Sequence, residues 1–209
     1  WNDSGGRHPG LFLTPQELER VKRSFKVDPA RLAALRTTAV FPYQMDDHVT
    51  YFLATGDVEL GRNLAKTATE LLQRAVDGFV KQDQLRNQGS CPHHRTGTIM
   101  WSAILGDLAL SPGVLTPPER ARLKAQLAFL GYTLASPTFH SPERGYKANP
   151  NMTTTARGML GLVACCVSRH PQARAWAQIA IAEIQSELET WCDANGGWLE
   201  APHYAMVSF

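Results

Sequence analysis

Apolar residues in this chain recur at the three-to-four-residue spacing of an α-helix in six long segments, 43–55, 57–82, 96–110, 116–136, 151–169 and 172–194, and nowhere alternate for long as a strand would. That periodicity restricts the chain to helix packed on helix. Ahead of these segments, Thr14-Pro15-Gln16-Glu17 supplies a capping hydroxyl, a proline at the first helical position and a reciprocal glutamate, which predicts a helix to about Lys26. A second short helix is expected after Asp28-Pro29, and Thr116-Pro117-Pro118-Glu119 repeats the capping logic further on. Turn signals fall between the segments at Thr55-Gly-Asp57, Asn87-Gln-Gly-Ser90, Ser111-Pro-Gly113, Ser136-Pro137 and Asn195-Gly-Gly197. The predicted fold class is all-α, a single domain over 1–209 of successive antiparallel helical hairpins.

The direction of each helix then sorts the connections onto two ends. The Arg169-His-Pro-Gln172 turn is short enough to make 151–169 and 172–194 antiparallel neighbours. If 43–55, 96–110 and 151–169 run one way and 57–82, 116–136 and 172–194 return, four polar connections share one rim: 41–48, 86–95, 137–150 and 195–204. Five of the seven histidines fall there (His48, His93, His94, His140 and His203), with Arg95, Tyr146, Lys147, Asn149, Asn151, Glu200 and Tyr204 beside them. The opposite rim carries short turns and His170. Loops held on a rigid scaffold are where function concentrates, so the first rim is the expected binding face.

Composition removes several classes of function. With 44% hydrophobic and 19% charged residues and a net charge of +2, the 209-residue chain can bury a core and has no basic block to mark a nucleic-acid footprint. The longest apolar run, Met159 to Val167, is far shorter than the ~20 residues of a membrane span. The four cysteines, Cys91, Cys165, Cys166 and Cys192, lack CxxC spacing, which argues against a zinc site, and Cys165 and Cys166 read as small core residues. No metal or other cofactor is expected. A start at Trp1 without a leader fits a trimmed mature protein or an excised segment, and an apolar finish at Met206-Val-Ser-Phe209 suggests part of a larger protein.

Two motifs carry a resemblance. His8-Pro-Gly-Leu-Phe-Leu-Thr-Pro-Gln-Glu-Leu-Glu-Arg-Val-Lys22 resembles the opening segment of heparinase II/III-like and alginate-lyase-like polysaccharide lyases. Asp193-Ala-Asn-Gly-Gly-Trp-Leu-Glu-Ala-Pro-His-Tyr204 is similar to the stretch in which those enzymes place a catalytic tyrosine after a Gly-Gly turn. The Asn151 segment resembles the place where they offer an asparagine to the substrate carboxylate, although Met152 stands where many relatives have a histidine. The resemblance implies an (α/α) toroid, incomplete in this chain, and a secreted or periplasmic enzyme that cleaves a uronic-acid polymer by β-elimination.

That reaction states what the residues must do. A base takes the proton at C5, beside the carboxylate, and an acid protonates the oxygen that leaves C4. Neutralising the carboxylate stabilises the enolate-like intermediate, and Asn151 at a helix start, where free N–H groups favour anions, suits that role. Tyr204 is the expected proton-transfer residue if a nearby cation lowers its pKa from ~10, with His203 and His94 as partners. Arg95, His93, Tyr146, Lys147, Asn149, Trp198 and Glu200 are expected to hold the polymer.

Plainer roles compete with each of these. Asn151 can simply cap its helix with Thr153, Tyr204 can be a buried tyrosine, and His48 and His140 can be exposed loop residues. Two other functions fit the same pattern. An inverting glycoside hydrolase would set Asp46 or Asp47 against Glu200, ~6.5–9.5 Å apart, and a non-catalytic carbohydrate-binding scaffold would need no reactive group at all.

Overall fold

The computed structural model describes residues 1, 6–11, 13–41, 44–81, 93–138 and 150–199, with the backbone alone for 81 and 93–99. Among them are eight helices and no strand: α1 (Pro15–Ser24), α2 (Pro29–Thr37), α3 (Asp46–Thr55), α4 (Val58–Lys81), α5 (His93–Ala109), α6 (Pro117–Ala135), α7 (Pro150–Cys166) and α8 (Ala173–Trp191). The all-α expectation holds. None of the described helices is long and apolar enough to cross a membrane.

Local chemistry sets the helix ends. Both capping boxes form: the Thr14 backbone N–H donates to Glu17 Oε2 at 2.7 Å and the Thr116 N–H to Glu119 Oε2 at 2.9 Å, each ahead of a proline at the first turn. Asp57 opens α4 by accepting the Leu60 amide at 2.9 Å. It also holds Arg36 through two bonds, Nε at 3.2 Å and Nη2 at 2.6 Å, so one carboxylate fastens α2 to the start of α4. Helix α7 stops at Cys166, short of the expected 169, because His170 closes a tight turn. Its N–H reaches Val167 O at 2.7 Å, and its Nδ1 accepts the Gln172 amide at 3.1 Å.

The helices pack in two rows. Helices α4, α6 and α8 contact one another in sequence, α5 and α7 lie side by side, and α4 with α5, α6 with α7 and α7 with α8 join the rows. Their directions follow from cross-helix contacts. Gln73 on α4 accepts from Arg122 and Gln126 on α6, both at 3.0 Å, while the earlier part of α4 lies beside the start of α6, so these two helices run the same way. Gly61, near the start of α4, lies close against Val114, just past the end of α5. Gly161 faces Ala180 across the α7–α8 hairpin, and the buried Cys166 thiol donates to Ala103 O at 3.2 Å across α5 and α7. Together these contacts gather the starts of α5 and α7 and the ends of α4, α6 and α8 at one end of the array.

Leucines fill the space between the rows. Leu60, Leu64, Leu72, Leu105, Leu127, Leu130 and Leu160 have no measurable exposure. Burying a side chain of this size is worth ~1.5–3 kcal/mol, which accounts for why propensity alone need not hold the helices. At the far end, Trp176 stacks on His170 with ring centroids 4.7 Å apart and sits on Gly131, where a Cβ would come within 2.5 Å of the indole. Only a glycine admits that approach.

Among the described residues, helices α3 and α5 do not touch. Residues 8–11 and 13 lie between them, against Val49 and Leu53 on one side and Ile104 and Leu108 on the other. A buried carboxylate holds them there. Asp107 Oδ1 is 2.7 Å from His8 Nδ1, and Oδ2 accepts the amides of Gly10 at 2.8 Å and Leu11 at 3.0 Å.

Two expectations need correction. His48 is buried, not exposed in a loop, because it lies in the first turn of α3, where its Nε2 is 3.3 Å from Thr38 O. Cys165 is exposed although Cys166 is buried, since one helical step of about 100° puts the two on different sides of α7.

Candidate functional site

Helix α7 begins with Pro150, whose missing N–H suits the first helical position, so Asn151 stands at the second. This placement corrects the capping role. Asn151 is inside the helix, 5% exposed, and its side-chain Oδ1 is buried with no hydrogen-bond partner among the described residues. Its backbone carbonyl accepts from the hydroxyls of Thr155 at 2.6 Å and Thr154 at 3.2 Å. The Thr154 hydroxyl also reaches Pro150 O at 3.0 Å. These two hydroxyls are therefore committed to their own helix, and the Asn151 amide keeps an oxygen in reserve.

Sequence reasoning missed Arg157, two turns further along α7. The residue is 5% exposed, its guanidinium donates from Nη1 to Leu134 O at 3.0 Å in the last turn of α6, and its Nε is buried without a partner among the described residues. Burial pushes its pKa below the usual arginine range, and Glu183 on α8 acts in the opposite direction. On α8, burial raises the pKa of Glu187, with a further contribution from Glu183, and Glu187 Oε2 is buried without a hydrogen bond among the described residues. The signal was present in the sequence as a lone arginine in the run Thr155-Ala-Arg-Gly-Met-Leu160.

The stretch after α8 returns to the same end. Asp193 Oδ1 accepts the amides of Asn195 and Gly197, both at 2.8 Å, and Gly196 adopts a left-handed φ of 82° that favours glycine. The turn pairs Cys192 with Trp198, and the Leu199 amide donates to Trp191 O at 2.8 Å. Trp198 is thereby half-buried beside the end of α8. Because α7 and α8 form an antiparallel hairpin, this turn and Asn151 share one end of the array. Only residues 193–199 of the second motif are placed this way; Glu200 to Tyr204 lie outside the described residues.

The remaining candidates divide by position. His93, His94 and Arg95 form the first turn of α5, with only their backbone described. Tyr146, Lys147, Asn149, Glu200, His203, Tyr204 and His140 lie outside the described residues. Asp47 is engaged by Arg31, whose Nε lies 3.0 Å from Oδ2 in an exposed pair. Among the described residues no group of three or more His, Cys, Asp or Glu side chains is arranged to hold a metal ion. No family model matches the chain, and neither a curated protein nor a solved structure matches it.

Proposed function

We propose that the chain is a polysaccharide lyase, or the helical part of one, that cleaves a uronic-acid-containing anionic polymer by β-elimination outside the cytoplasm. The observation that carries this reading is Asn151: a nine-tenths-buried amide with an unused oxygen, at the first turn of a helix whose hairpin partner leads into the Gly-Gly-Trp-Leu-Glu-Ala-Pro-His-Tyr204 motif. A buried polar atom without a partner is rare in a structural role. The two-row arrangement, with same-direction helices within a row, is the repeat from which an (α/α) toroid is built and so supports the finer fold reading as well.

In this mechanism the Asn151 amide and the helix N-terminus bind the uronate carboxylate and stabilise the charge that builds on it as the C5 proton leaves. Tyr204, with His203 or His94, takes that proton and returns one to the C4 oxygen as the C4–O bond breaks and a C4=C5 double bond forms. His93, Arg95, Tyr146, Lys147, Asn149, Trp198 and Glu200 line the polymer's path.

The test is an ultraviolet assay for unsaturated uronate on alginate, glucuronan, heparan and chondroitin polymers, run on the longest form of the protein with Tyr204→Phe in parallel. One polymer should yield product, and the tyrosine variant should lose it by at least ~100-fold. New reducing ends without unsaturation would replace this reading with hydrolysis.

A further inference from the structure

The end of the molecule opposite the candidate site holds a separate cavity of about 270 Å³. It lies against the end of α5, and Asp107 is fourteen residues, or roughly 20 Å, from the start of that helix. Its wall includes His8, Leu18, Lys22, Phe52, Ser111 and Pro112. Two polar groups on it are set in unusual ways.

His8 is fixed by the buried Asp107, which takes Nδ1 on one oxygen and two backbone amides on the other. With three donors on the carboxylate, the proton of neutral His8 belongs on Nδ1, and Nε2 makes no hydrogen bond among the described residues. Ser111 is 6% exposed, and its hydroxyl oxygen is buried with no hydrogen-bond partner among the described residues. A buried hydroxyl in that condition costs stability unless something else uses it. Lys22 adds positive charge at the mouth, its ammonium 2.8 Å from Glu19 and partly exposed.

We propose that this cavity binds a small carboxylic acid with an apolar body, with the carboxyl group held by Ser111, His8 and Lys22 and the body against Leu18, Phe52 and Pro112. A carboxyl group fits both protonation states of His8, since the acid donates to a neutral Nε2 and the carboxylate accepts from a protonated one. The apolar walls select the rest of the molecule, and the volume limits it to about the size of a single ring. The site is independent of the lyase reading, because it lies at the other end and its test reads binding rather than cleavage.

Benzoate is the probe, with benzamide as its neutral analogue and glucuronate as a carboxylate on a polar ring, each titrated against the intact chain by thermal shift and by amide chemical shifts. Benzoate should bind saturably and raise the melting temperature, and the other two should bind at least about tenfold more weakly. Ser111→Ala should leave the melting temperature of the free protein unchanged or higher, while weakening benzoate by about tenfold. Lys22→Gln, an exposed change that leaves the core intact, should weaken it severalfold. No saturable benzoate binding overturns the proposal, as does a Ser111→Ala protein that is less stable yet binds benzoate as before. Glucuronate binding as tightly as benzoate overturns the choice of an apolar body.

Discussion

Two polar regions lie at opposite ends of the helical array and treat buried charge differently. Around Asp107 both carboxylate oxygens are used, by His8 and by two amides, and nearby Asp57 is equally occupied by Arg36 and Leu60. Around the start of α7 and on α8 beside it, Asn151 Oδ1, Arg157 Nε and Glu187 Oε2 are all buried without partners among the described residues. The first arrangement holds the protein together. The second costs stability, and such costs persist where a ligand or a reaction uses the group. Near Asp107, among the described residues, Ser111 carries a buried hydroxyl without a partner, which is why the cavity beside it stands out.

The sharpest way to break this comparison is Asp107→Ala. It strips three donors of their acceptor at a buried site, and a loss of about 3–5 kcal/mol is expected in urea unfolding. A loss below about 1 kcal/mol would mean that residues 8–11 are not held by this carboxylate.

Asp57→Asn comes next, at about 1–2 kcal/mol near neutral pH, since it weakens a helix cap and a charge pair together. The Arg36 hydrogen bonds, with help from the Leu60 amide, hold the Asp57 carboxyl below its ordinary value, against a smaller opposing effect of burial. A carboxyl depressed in the folded state contributes stability above the unfolded value, ~3.9, and loses it as pH falls through the folded one. The gap between parent and variant should therefore stay constant from neutral pH down to about 4 and close below that. A gap that widens in acid would contradict the assignment.

Asn151→Ala should show the smallest stability effect, under about 1 kcal/mol, because the side-chain oxygen it removes has no hydrogen bond to lose. Uronate cleavage by the same variant should fall by ~100-fold or more. A stability loss as large as that of Asp107→Ala would place Asn151 among the structural groups.

Most of the helical framework was legible because its signals are local. Thr14 with Glu17 and Thr116 with Glu119 announce their caps within four residues, and the leucine spacing of α4 to α8 fixes which face is buried. What escaped depends on distant pairing. Asp107 in Ile104-Leu-Gly-Asp-Leu108 looks like an ordinary polar position until His8 is beside it, and nothing within a few residues of His48 foretells its burial under Thr38. At the candidate site the α7–α8 hairpin puts Asn151 and the turn after α8 at one end, as its short connection announces, whereas the capping role for Asn151 failed because Pro150 takes the first helical position. Arg157 escaped because its role appears only where α6, α7 and α8 converge.

The contact between His8 and Asp107 spans 99 residues of chain. During synthesis at ~5–20 residues per second, the 8–11 segment is made roughly 5–20 s before its carboxylate. Helices α1 to α4 must pass that interval without the strap that later runs between α3 and α5. A segment made early is thus fastened late, and a nascent chain halted before Asp107 should leave residues 8–11 open to proteases that spare the finished fold.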